Sequence, residues 1–185
     1  MILQTFDAAL FNFINHELQN PVLDWVMPVM SCVGSGGAIW FCTALMLYFF
    51  VPQRGKRIAV LIVLAFLLSN LIANELLKDL FARQRPFLTL PDVRVLIKQP
   101  LSYSFPSGHA ATSFASAFVI AKKIRPMALP VVFMALAIAF SRIYVGVHYP
   151  LDVAAGGMIG WLCALIVLRN EKKLDILFRK RDRNL

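Results

Sequence analysis

Three short stretches of the chain carry residue types able to handle a phosphate. The densest runs Ser141-Arg142-Ile143-Tyr144-Val145-Gly146-Val147-His148-Tyr149-Pro150-Leu151-Asp152, a polar island between two apolar runs, each long enough to enter a membrane. Ionisable groups so close to hydrocarbon are costly, and they usually face a bundle interior or a water-filled cavity where they serve function. Pro150 suits a first helical position, because its missing N–H loses no bond there and its fixed φ fits a helix start. A helix that begins beside His148 sets Asp152 about one turn on. The carboxylate then reaches one imidazole nitrogen and fixes the tautomer that leaves the other free. That pair has the chemistry of an oriented nucleophile or base. Arg142, at the outgoing end of the preceding helix, offers a planar fork of donors suited to a phosphate.

The second stretch is Phe105-Pro106-Ser107-Gly108-His109. Ser107 has the chemistry of an N-cap, and the free N–H groups and dipole of a first helical turn form an anion site, which glycine at 108 lets a phosphate approach. His109 projects beside that anion. Such a turn is also an ordinary helix start. In the third stretch Asn70, Asn74 and Lys78 recur at steps of four, which puts them on one face of a helix. For the two asparagines, interhelical hydrogen bonds are the preferred reading. Arg85 lies seven residues after Lys78, almost two turns, so the two cations converge if the helix direction persists to Pro86, where the helix ends.

The elements that must position these groups are membrane helices. At 185 residues there is room for one domain, and 59% hydrophobic residues with a mean hydropathy of +0.69 exceed any ordinary soluble protein. The net charge of +9 does not point to nucleic acid, because the basic residues are scattered among apolar runs and form no stripe. Cys32, Cys42 and Cys163 lack metal-type spacing and are expected as buried small hydrophobes, with no disulfide or zinc site. The N-terminus has no basic region followed by an apolar core and a cleavage site, so a removable signal peptide is not expected.

Taken in order, residues 3–18 place Leu3, Phe6, Leu10, Phe13 and Ile14 at three- and four-residue steps with Asp7, Asn12, Asn15 and Glu17 between them, an amphipathic helix too polar to span easily and suited to the membrane interface. Val22 to Val33 is too short to cross alone before Gly34-Ser35-Gly36-Gly37, and is expected as a half-inserted or packed segment. Ala38 to Val51 crosses when the glycines are counted with it. Ile58 to Phe81 crosses back, Leu88 to Tyr103 forms an outer loop, lid or rim, and three further crossings cover about 105–120, 127–141 and 151–168. Gly156 and Gly160 allow close packing of the last. The fold class is therefore all-α, a polytopic bundle of about five or six membrane helices with an interfacial N-terminal helix. The core is about 30–168, and 169–185 is a basic cytoplasmic tail suited to anionic lipid.

Arg54, Lys56, Arg57, Lys122, Lys123, Arg125 and the tail cations fall on one side of five crossings, which the positive-inside rule assigns to the cytoplasm. Lys78, Arg85, Ser107, His109, Arg142, His148 and Asp152 then gather on the outer side. Arg83, Arg94 and Lys98 break the rule there, as a surface that attracts anions does.

In order and without a departure, Lys78-(six residues)-Arg85-Pro86, Pro106-Ser107-Gly108-His109 and Ser141-Arg142-(five residues)-His148-(three residues)-Asp152 match three signatures. The chain so resembles the type 2 phosphatidate phosphatases, membrane lipid phosphatases related in their pocket to vanadium haloperoxidases. The resemblance implies that His148 attacks phosphorus to form a phosphohistidine, Asp152 holds its imidazole and His109 protonates the departing oxygen. It implies that Lys78, Arg85, Ser107, Gly108 and Arg142 bind the nonbridging oxygens, with neither metal nor cofactor. The compact chain most looks like the small bacterial members that dephosphorylate undecaprenyl diphosphate in the cell membrane. Phosphatidylglycerophosphate, phosphatidate and lipid A phosphates are alternative substrates. A non-enzymatic lipid-binding or transport protein is the alternative of another class, and it would be expected to lack a member of the catalytic set.

Overall fold

The computed structural model of the protein describes residues 2–173, and among them every regular element is helical. α1 (Ile2–Asn12) widens into a π-helical turn at Phe13–Glu17. The Asn20 side chain then caps α2 (Pro21–Gly34), accepting from the Leu23 N–H at 3.0 Å. A tight turn at Ser35–Gly37 leads into α3 (Ala38–Phe50). α4 (Arg54–Asn70) passes through a second π-helical turn, Leu71–Leu77, into the single turn of α5 (Lys78–Phe81), and α6 (Pro86–Thr89) follows. An irregular stretch then leads to α7 (Gly108–Lys123), α8 (Ala128–Tyr144) and α9 (Pro150–Arg169). The basic tail expected over 169–185 lies, from residue 174 on, outside the described residues.

Among the described residues, four helical stretches are long and apolar enough to cross a bilayer: Pro21–Phe50, Arg54–Thr89, Arg125–Tyr144 and Pro150–Arg169. The first is two helices joined at a kink: Ser35 is extended, and Gly36 and Gly37 take φ values of 58° and 73°, so residues 22–51 divide at the glycines as the sequence predicts. At Gly37 the ring of Phe66 fills the place of a side chain. α7, expected as the third crossing, has 16 residues and rises about 24 Å, less than the roughly 30 Å of a hydrocarbon core. Ten of those residues are buried against α4, α8 and α9, so its Ala and Ser meet helices where a lipid-facing helix meets acyl chains. Gly156 and Gly160 let α9 approach until a methyl group at either would strike the Ser107 or Ala111 carbonyl oxygen.

The bundle has two chemically distinct ends. Arg54 Nη2 donates to the Lys123 carbonyl at 2.8 Å and Lys123 pairs with Glu171, which joins the start of α4 to the ends of α7 and α9 in one basic cluster. The polar island, the start of α7 and the Lys78 turn meet at the other end.

Three expectations about single residues are corrected. Cys32 and Cys42 are exposed and only Cys163 is buried, because lipid can cover surface that an apolar sequence context suggests is protein core. Arg83, expected as an exposed cation, is partly buried and bridges two aspartates, while Arg94 is exposed as expected and pairs with Asp24 at 2.9 Å. The amphipathic N-terminal helix forms, but Asp7 and Asn15, placed by the sequence on its wet face, are wholly buried. Asn15 Oδ1 accepts from the Arg94 N–H, and its Nδ2 donates to the carbonyls of Arg94 and Tyr144, each at 3.0 Å. One amide thus ties the N-terminal segment, the 90–104 stretch and the end of α8 together. Asn15→Ala orphans these buried groups, and the expected loss is about 1–3 kcal/mol, read as a lower thermal unfolding temperature in detergent. An interfacial, solvated Asn15 would give no change.

Candidate active site

The polar island folds as its spacing predicts at the backbone. α8 ends at Tyr144, Gly146 takes a φ of 83°, and the N–H groups of Val147 and His148 both return to the Arg142 carbonyl at 3.2 Å. Pro150 opens α9, and the Tyr149 N–H donates to Asp152 Oδ2 at 2.9 Å. His148 is 2% exposed, held between two walls of different character.

On one side, Asp152 does not reach the imidazole as directly as the sequence spacing suggests. Its Oδ2 lies 3.7 Å from His148 Nδ1, too far for a good hydrogen bond, and the Ser104 hydroxyl lies beside both groups. Ser104 donates to Asp152 Oδ2 at 2.5 Å and faces His148 Nδ1 at 3.5 Å. With its proton given to the carboxylate, the hydroxyl oxygen is left as the acceptor that faces Nδ1, at the outer limit of a hydrogen bond. On the other side, Arg85 Nη1 lies 3.3 Å from Nε2. A guanidinium only donates, so Nε2 is the lone-pair nitrogen. Burial pushes the imidazole well below the usual histidine range, and Arg85, Arg142 and Lys78 push the same way, so the ring is neutral.

Nε2 faces a cavity of about 680 Å³ whose wall includes Lys78, Arg85, Gly108, His109, Arg142 and His148. The Lys78–Arg85 convergence comes about differently from the predicted continuous helix. α5 stops at Ala82, which takes a left-handed φ of 44°, and Pro86 starts α6 instead of ending a helix. Ser102 reunites the two cations: its hydroxyl accepts from Lys78 Nζ at 3.3 Å and Arg85 Nη2 at 3.1 Å, and its carbonyl from Arg85 Nε at 2.6 Å. Arg85 Nη1 also donates to the Val147 carbonyl at 2.7 Å. Arg142 donates to Ser31, while its Nε–H is buried with no protein partner. An orphaned buried donor on the wall of a cationic cavity fits an incoming anion.

The second stretch divides its labour. Ser107 is fully buried, its hydroxyl accepting from the Ala110 N–H at 3.4 Å and its own N–H donating to the Asp152 carbonyl at 2.9 Å, and it lies behind the cavity wall. Gly108 and His109 are on the wall, and His109 Nε2 lies 3.4 Å from the Ser35 hydroxyl at the bend between α2 and α3. The absent Gly108 side chain leaves room for the Asn74 amide. Asn74 Nδ2 donates to Asn70 Oδ1 at 2.7 Å, so the expected interhelical bond is replaced by one within the helix. Sequence reasoning missed Asp7, Arg83, Ser102 and Ser104. The last two follow from no period, and only the proximity of Ser104 to Ser107 hinted at it. Among the described residues no three His, Cys, Asp or Glu side chains gather as metal ligands do.

The PAP2 superfamily profile matches residues 58–175. The chain is 32% identical over 173 residues to the bacitracin transport permease protein BcrC of Bacillus licheniformis, covering 90% of this chain and 81% of that one. It is 33% identical over 165 residues to the undecaprenyl-diphosphatase of Sulfolobus acidocaldarius, covering 88% and 77% respectively. The crystal structure of Aquifex aeolicus LpxE superposes with a TM-score of 0.73 at 32% identity, over 87% of this chain and 93% of that one.

An anion site built from Arg85, Arg142 and Lys78 should be occupied by inorganic phosphate alone. At a hundred times its Kd, phosphate is expected to stabilise the protein by about 2.7 kcal/mol in thermal unfolding, and Arg142→Gln to lose most of that effect.

Proposed function

The chain belongs to the PAP2 superfamily and is a multi-pass membrane lipid phosphatase, and from that premise we propose that it converts undecaprenyl diphosphate to undecaprenyl phosphate and inorganic phosphate. The observation that carries the reading is the placement of His148 Nε2, neutral and 3.3 Å from Arg85, on a cavity shared with Lys78, Arg142 and His109. The same cavity extends to Pro28, Cys32, Gly36 and Phe66, an apolar wall where the lipid end of the substrate fits. The name of the Sulfolobus acidocaldarius relative supports the choice of diphosphate.

In this reading Nε2 attacks the terminal phosphorus as the bond to the bridging oxygen breaks, and His109 gives its proton to the leaving lipid phosphate. Asp152, with Ser104 bound to it, keeps the proton on Nδ1 and stabilises the positive charge that the ring gains. Water then attacks the phosphohistidine while His109 takes up a proton, and the N–P bond breaks to release phosphate. Lys78, Arg85, the Gly108 backbone and Arg142 bind the nonbridging oxygens, where fixed donors offset the charge that develops. Ser107 acts by capping the helix that presents Gly108. The site end faces outward from a bacterial cell membrane, since the basic cluster of Arg54, Lys123 and their neighbours marks the cytoplasmic end.

Phosphate release from a panel of purified lipid phosphates and diphosphates tests the substrate, with undecaprenyl diphosphate expected to give the highest kcat/KM. A phosphatidylglycerophosphate or a lipid A phosphate in first place would redirect the assignment. His148→Ala should abolish turnover of lipid and aryl phosphates alike. His109→Ala loses general acid catalysis, worth about 10²–10⁴-fold, which matters most for a basic leaving group. It should therefore keep relatively more activity on p-nitrophenyl phosphate than on an alkyl lipid phosphate; equal losses would refute its role as acid.

Sidedness is checked by thiol labelling in intact cells after Cys32, Cys42 and Cys163 are replaced. A cysteine at Asp92 should react with an impermeant reagent and one at Gln53 should not. The reverse pattern would invert the orientation.

A further inference from the structure

Behind His148 runs a chain of contacts that the phosphate-binding groups do not enter. Arg83 donates from Nη1 to Asp152 Oδ1 and from Nη2 to Asp7 Oδ2, each at 2.6 Å. Both aspartate side chains are 0% exposed, while the Arg83 side chain keeps 27%. The guanidinium stacks on Tyr149, 4.0 Å from the ring centroid, which fixes its plane. The second oxygen of Asp7 accepts from the Leu151 N–H at 2.9 Å, in the first turn of the helix that carries Asp152. Asp7 therefore holds both the arginine and the start of α9.

The geometry constrains Asp152 at both ends of its carboxylate. Oδ2 is held by the Tyr149 N–H and the Ser104 hydroxyl, and Oδ1 by Arg83. Without Arg83, the carboxylate can rotate about its own bond and leave Ser104. Without Asp7, the guanidinium loses half of its fork and with it the definition of its position, because a planar donor pair is oriented only when both prongs are engaged.

We propose that Asp7 and Arg83 are positioning residues for the phosphatase reaction: they lock Asp152 Oδ1, which aims Oδ2 and the Ser104 hydroxyl at His148 Nδ1 and keeps Nε2 the attacking nitrogen. The proposal rests on the reading of His148 as nucleophile. It makes α1 part of the catalytic apparatus and gives Arg83 a task apart from binding phosphate.

The test compares wild type, Asp7→Asn, Arg83→Gln, Arg83→Lys and His148→Ala, purified in detergent and assayed on one lipid phosphate. For Asp7→Asn and Arg83→Gln, kcat should fall by about tenfold or more, the range for loss of a group that orients a reacting side chain, with KM within about threefold. Arg83→Lys, which keeps a cation but not the two-pronged bridge, should recover part of the loss. A purely structural ion pair would lower the unfolding temperature and leave kcat per folded molecule unchanged. The chain has only three histidines, so ring ¹⁵N spectra of histidine-labelled protein resolve the tautomer of His148. The Nδ1–H form should dominate in wild type and give way to a mixture in Asp7→Asn and Arg83→Gln. Unchanged kcat and an unchanged tautomer in both variants overturn the relay. If Arg83→Gln does not fold, Asp7→Asn decides alone, since it is isosteric and keeps an acceptor for the Leu151 N–H. Turnover in His148→Ala strikes the nucleophile assignment itself, whereas normal variants beside an inactive His148→Ala strike only the relay.

Discussion

Asp152 is a carboxylate with no exposed surface, and a charge in that setting is tolerated only if the fold brings donors to both of its oxygens. Those donors come from three places in the chain: Arg83 after α5, Ser104 before α7 and the Tyr149 backbone at the head of α9. Satisfying one buried anion therefore pins together the three segments that carry the phosphate-binding groups. Ser107 adds a fourth link through its N–H bond to the Asp152 carbonyl. The start of α7 and the start of α9 are thus held at one depth, and His148 and His109 with them.

The opposite face of His148 is organised by an excess of positive charge. Lys78, Arg85 and Arg142 share one cavity with no carboxylate on its wall among the described residues, and are anchored by neutral acceptors: Ser102, Ser31 and the Val147 carbonyl. Such a cluster is unfavourable when empty and is relieved by a bound anion, so the binding energy of a phosphate is directed at the place where negative charge develops during its transfer. The carboxylates that balance these cations stand behind the nucleophile, where they orient it without competing with the substrate.

The close approach this requires is possible because α7 and α9 meet through small residues. A membrane helix surrounded by helices gains nothing from bulk, and Gly156 and Gly160 let the α9 backbone touch that of α7. The exposed long apolar side chains lie mainly on α3, α8 and the outer face of α9, and α7 exposes none.

The sequence by itself determined the helical membrane class and the turn that presents His148. Its three signatures also named six groups that line one cavity, because the types and short-range spacings of these residues are local quantities. Composition marked the basic segments as sharing one end for the same reason. Tertiary structure alone decided what stands between and behind those groups. Ser104 binds Asp152 beside His148, Ser102 reunites Lys78 with Arg85 after the helix stops at Ala82, and Asn74, on the face it shares with Asn70, bonds to that residue within its own helix. Most of all, Asp7 and Asn15 look on an amphipathic wheel like the wet side of an interfacial helix. They are buried because the donors they meet, Arg83 76 residues away and Arg94 79 residues away, come from distant parts of the chain. A periodic pattern reports which residues share a face, and not whether that face meets water or a buried partner.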